Sequence, residues 1–179
     1  MDGKADLEAF LAAWVFHTDA LLRSPQKEEK IRKLQEAFNT LRASFGNSYK
    51  DHNIYSLLLY ANVIQDLTNC GWVCPEELAS EKKQIFLMAL ELFIAKDGDF
   101  ADGARHILGR AFRQLGSSLL SGADGLTQDD KLARDCYICL NKLHICDGYV
   151  FLDDFNQNEA GEWVYIGTRP DPNRIIPFC

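Results

Sequence analysis

The chain has 179 residues, 47% hydrophobic and 25% charged, a mix that excludes general disorder and allows one domain with a real core. A formal net charge of −7 without a dominant basic block argues against nucleic-acid binding, which needs clustered Lys and Arg to neutralise phosphates. No apolar run approaches the roughly 18 residues of a membrane span, and MDGKADLEAF lacks a basic-then-apolar secretory signal.

The first predicted helix carries Leu7, Phe10, Leu11, Trp14, Val15, Leu21 and Leu22 at helical spacing, read as one apolar stripe. Ser24 is the expected N-cap of the second, with Pro25 at its first position. Ile31, Leu34, Phe38, Leu41 and Phe45 form its stripe, and Gly46 stops it. The third helix has Ile54, Leu57, Leu58, Ala61, Ile64 and Leu67, and ends at TNCG. Pro75 opens the fourth, where Glu76 and Glu77 suit the helix dipole. DGD at Asp97–Asp99 breaks the chain. The fifth buries Ala104, Ile107, Leu108, Ala111, Phe112, Leu115 and Leu119. Thr127 is the expected cap of the sixth, with Asp130 three residues on in a near capping box. Leu132, Cys136, Cys139, Leu140 and Leu143 are its apolar face.

The pattern changes at Asp147-Gly148. YVFLDDF and EWVYIG are short, aromatic and β-branched, with NQNEAG as a turn between them. They predict a β-hairpin from Tyr149 to Ile166. TRPDPNRIIPFC is then an extended, Pro-rich tail. The expected fold is mainly α: three stacked antiparallel helix pairs, a repeat array or an irregular bundle, ending in a β-hairpin and extended tail. Residues 1–146 would form the helical scaffold, and 147–179 the hairpin and tail packed on it in a single domain.

The pairs span about 7–45, 52–95 and 100–145, lengths suited to stacked helical repeats. AAWVFHTDALL, LLYANVIQDLT and LGRAFRQLGSSLL each place a small residue (Ala13, Ala61, Ala111) where helices can approach closely. Gly109 and Gly116 offer the same in the third pair. LGRAFRQLG…DDKLARDCYICLNKL resembles a tetratricopeptide-type repeat, in which a small-residue helix packs on an aromatic-bearing one. It departs from that family in lacking the repeat-end proline and in exceeding the usual length of about 34 residues. The resemblance implies a protein-binding scaffold.

Six cysteines are present, and without a secretory signal they are expected as reduced thiols in a cytoplasmic protein. Cys136, Cys139, His144 and Cys146 open like a zinc knuckle, but one residue, not four, separates the last two. Cys136 and Cys139 also continue a helix face, where cysteine acts as a small hydrophobe. Cys70 and Cys74 flank Trp72 in a turn. Asp154, Asn156, Asn158 and Glu159 alternate oxygen side chains as a calcium loop begins, yet lack its glycine, and turn chemistry explains them equally. Asp97, Asp99 and Asp102 read as capping residues. His17, His52, His106 and His144 are scattered, and no nucleophile, P-loop or HExxH motif occurs. Nothing calls for a cofactor.

Arg23–Lys50 carries seven basic against three acidic residues, and Asp51–Asp102 three against nine. An acidic field of that kind draws a partner with a basic surface. Arg105, Arg110, Arg113 and Arg134 can clamp carboxylates bidentately. Asp154, Asn156, Trp163 and Tyr165 put a recognition edge on the hairpin, with Trp163 either core or interface anchor. The expected function is a non-enzymatic protein-binding scaffold, an adaptor or immunity-type inhibitor. A small enzyme with a site assembled from distant residues and a metal- or calcium-regulated module are the alternatives.

Overall fold

The computed structural model describes residues 3–24, 26–45, 53–95, 105–145 and 150–171. Among these the order is α1 (Gly3–Leu22), α2 (Lys27–Phe45), α3 (Ile54–Asn69), α4 (Glu76–Ala95), α5 (Arg105–Ser121), α6 (Asp130–Lys142), a 3-10 turn (Leu152–Asp154), β1 (Phe155–Gln157) and β2 (Trp163–Tyr165). The fold is mainly α, built from helix pairs and closed by an antiparallel hairpin. No helix among the described residues is long and apolar enough to cross a membrane. The backbone divides into two units, 1–85 and 86–179, with the division inside α4.

In the first unit α1, α2 and α3 pack together. Asn53 caps α3 by accepting from the Tyr55 amide at 2.8 Å. α3 is enclosed on all sides: every residue from Ser56 to Leu67 is buried, including Asn62, Gln65 and Asp66. Tyr60 sits at the centre, stacked on Phe38 and edge-on to Phe45. Its hydroxyl donates to Glu81 at 3.1 Å, and Arg42 donates to both. One network thus ties α2, α3 and the start of α4.

α1 departs from the single stripe expected of it. Ala13, His17 and Ala20 face the core, while Leu7, Leu11, Val15 and Leu22 are 52–65% exposed. At about 100° per residue the exposed four fall within about 80° of arc. The buried three lie on nearly the opposite side. Apolar residues occur all round this helix, so periodicity could not choose the buried face.

Two expected caps also move. The Ser24 hydroxyl donates back to the Asp19 carbonyl at 3.1 Å, finishing α1, and α2 starts only at Lys27. Pro25 and Gly46 lie outside the described residues. At α6 the cap is Asp129, not Thr127: its carboxylate accepts from the Leu132 amide at 2.8 Å. Asp130 is thereby released from a capping box for another task.

In the second unit α5 and α6 form a close pair. Glycine sets the approach. A Cβ on Gly116 would lie 2.9 Å from Tyr137 Cε2, and one on Gly109 would overlap Ile145 Cδ1. Ala111 is fully buried beside them, as are Ala13 and Ala61 in the first unit. Phe93 of α4 meets Phe112 edge-on at 5.2 Å.

The hairpin is shorter than its sequence pattern. Leu152–Asp154 form a 3-10 turn in place of a strand, and pairing covers only Phe155↔Tyr165, Asn156↔Val164 and Gln157↔Trp163. The Asp154 carboxylate accepts from the Phe151 amide at 3.2 Å, which favours the turn. Phe155 and Tyr165 are buried, with Phe155 between Tyr165 and Tyr137 of α6. The tail from 172 onward lies outside the described residues.

Candidate functional sites

The four arginines singled out in the sequence separate into two places. Arg105, Arg110 and Arg113 lie on α5 and line one cavity of about 370 Å³ with His106, His144 and Ile145. Gly109 forms part of its wall. Arg110 and Arg113, three residues apart, are neighbours on the helix surface, and at about 100° per residue Arg105 lies about 80° from Arg113. Arg105 donates to the His144 carbonyl at 2.6 Å, joining the start of α5 to the end of α6. Arg113 is buried, Arg110 half-buried and Arg105 exposed. Among the described lining residues none is acidic.

His144 owes its place to the end of α6. The His144 amide donates to Asn141 at 2.9 Å and the Ile145 amide to Leu140 at 2.9 Å, the paired bonds of a Schellman cap. That cap needs a left-handed residue, and His144 supplies it at φ +55. Glycine adopts this conformation freely; a side chain costs about 1 kcal/mol there.

Arg134 lies elsewhere. Its guanidinium stacks 3.8 Å over the Trp163 ring. Both are half-buried, so Trp163 is neither sealed core nor bare surface. A groove of about 700 Å³ runs beside it between the start of α6 and β2, bordered by Asp129, Lys131, Glu162, Val164 and Arg169.

Asp130 fastens the hairpin along this groove. It takes a two-pronged bond from Arg169, at 2.8 and 2.9 Å, and a third from the Tyr165 amide at 2.9 Å. Arg169 also donates to the Leu120 carbonyl at 2.9 Å. Its hydrogen bonds hold the Asp130 carboxyl below the usual range, against an upward push from burial. Arg169 was not singled out in the sequence, and Asp130 only as the near capping-box residue after Thr127. They are 39 residues apart, and the only local hint was a surplus acid beside the helix cap.

Asp154 belongs to the 3-10 turn, and Asn156 is exposed on β1. Tyr165 is buried and its hydroxyl donates to the Thr168 carbonyl at 3.2 Å. Asn158 closes the hairpin loop by accepting from the Ala160 and Glu162 amides at 3.0 and 2.9 Å. It is thus a turn former.

Cys136 and Cys139 are buried on α6. Burial pushes both thiols up, Cys139 to about 12. Metals and electrophiles take the thiolate, so these side chains behave as apolar packing. Among the described residues no three His, Cys, Asp or Glu side chains are grouped to hold a metal. Cys146, His52, Asp97, Asp99 and Asp102 lie outside the described residues.

In the first unit His17 donates from Nε2 to Asp66 at 2.8 Å, with both side chains buried. Buried Lys82 donates to Gln65 at 2.6 Å. These contacts join α1 and α4 to polar positions of α3.

No protein-family model matches the chain, and neither a curated protein nor a solved structure matches it.

Proposed function

We propose that this chain is a protein-binding helical scaffold of adaptor or inhibitor type. The observation that carries this reading is the exposed stripe of Leu7, Leu11, Val15 and Leu22 on α1. Isolated surface aliphatics are ordinary; several on one face of one helix mark an interaction surface. Their spacing suits a partner helix laid against α1, with anchors every three to four residues. The net charge of −7 favours a partner whose apolar face is bordered by basic side chains. The hairpin groove beside Trp163 is the second recognition surface in this reading, since tryptophan concentrates binding energy where water is excluded.

The test combines capture with reconstitution. Leu11→Glu with Val15→Glu should leave helicity and urea stability within about 0.5 kcal/mol, because both positions are exposed. A partner captured by the wild-type chain, then purified, should bind the double variant at least about tenfold more weakly by calorimetry. If no captured protein responds to this variant or to Trp163→Ala, the reading is wrong.

A further inference from the structure

We infer that the exposed stripe of α1 pairs with the same stripe of a second copy of this chain, antiparallel about a twofold axis. The inference rests on the reading of that stripe as an interaction surface, and it names what covers the stripe when no basic partner is bound. Leu7, Leu11, Val15 and Leu22 are 52–65% exposed and run over about four turns of the helix. A twofold contact sets the same patch of both copies against itself. With the axis near Val15, close to the midpoint of the stripe, Leu7 and Leu11 of one copy lie against the Leu22 end of the other.

Charge selects the antiparallel direction. Glu8 and Arg23 are both exposed and stand near opposite ends of the stripe. They share one flank: at about 100° per residue Glu8 lies about 20° beyond Val15, and Arg23 about 80° beyond it. Turned end for end, each copy brings its Glu8 opposite the other's Arg23, twice in one contact. A parallel pair would set like charges at the same end. Arg23 carries an ion pair within its own helix, to Asp19 at 3.4 Å, yet its side chain is 80% exposed. An exposed pair of that kind is weak, and the guanidinium has further N–H donors to offer.

The like net charges of −7 on the two copies oppose the contact. One helix face is also a small interface, below the roughly 1,200 Å² at which stable complexes begin. The dimer is therefore weak and reversible. A partner with basic side chains competes for the same stripe and displaces the second copy.

The experiment is sedimentation velocity of the full chain over a range of concentrations. It is run at about 0.15 M ionic strength, where repulsion is screened beyond about 8 Å and contact pairs persist. Wild type should show a monomer–dimer equilibrium. Glu8→Arg should weaken it about tenfold, although it brings the net charge nearer zero and would strengthen any association governed by overall repulsion alone. Arg23→Glu should weaken it at least as much. The double exchange should recover wild-type dimerisation. An equimolar mixture of the two single variants should recover it too, because each then finds its opposite across the contact. Helicity should be unchanged throughout, both positions being exposed. A monomer at every concentration, single variants that dimerise like wild type, or an exchange and mixture that recover nothing would each overturn the proposal. If partner binding still responds to Leu11→Glu with Val15→Glu in that case, the protein-binding reading stands and self-pairing alone falls.

Discussion

His17 and Asp66 show what a single contact can hide from a sequence. The two residues are 49 positions apart, yet their side chains meet at 2.8 Å in a buried setting. Burying polar side chains costs several kcal/mol unless hydrogen bonds offset it, and this contact offsets part of that cost for both. His17→Ala should lower unfolding stability by about 3 kcal/mol in urea titrations. Asp66→Ala should do the same, and the double variant should cost less than the two singles combined. Single costs under about 1 kcal/mol would mean the pair is incidental to the fold. The sequence showed a histidine among four scattered ones. Helical periodicity reports which residues share a face, not which face of another helix they meet.

Elements were legible where their pattern was one-sided. The polar and apolar faces of α6 separate cleanly, and the expected apolar residues Cys136, Cys139 and Leu140 are buried. α1 and α3 were harder for opposite reasons. α1 is apolar on both faces, so its exposed stripe was read as core. α3 buries polar Asn62, Gln65 and Asp66 along with its leucines, because neighbours surround it. The hairpin was legible as a hairpin, but its anchor was not. Asp130 is held below its ordinary range in the folded chain, so folding depresses its proton affinity. Its stabilisation is complete above the unfolded value near 4 and fades as pH falls through the lower folded value. The pair is 13% and 36% exposed, and solvent screening limits the effect to about 1 kcal/mol. Amide exchange should therefore show the hairpin losing protection, relative to α5, as pH falls from about 5 through the unfolded value and below it. Asp130→Asn should flatten that dependence, and an unchanged dependence in the variant would assign it to another group.

At the scale of the molecule the mainly α class followed from helical stripes and one change of period. Which apolar residues stay uncovered did not, because exposure is decided by how the helices pack. The exposed stripe on α1 acts together with net charge. At −7, copies of the chain repel one another, and salt shortens that repulsion to about 3 Å at molar ionic strength. High salt also strengthens apolar association when its anion is sulfate. Sedimentation velocity should then show concentration-dependent association in high sulfate but not in dilute buffer. Leu11→Glu should suppress it. Association that persists unchanged in that variant would point away from α1.

Arg169 also sets an order of assembly. Its guanidinium bonds to the Leu120 carbonyl near the end of α5 and to Asp130 at the start of α6. That double acceptor exists only once the two helices lie side by side. We therefore expect the hairpin to seat on a completed helix pair, after the rate-limiting step of folding. Losing the arginine would hasten unfolding and leave the folding rate nearly unchanged.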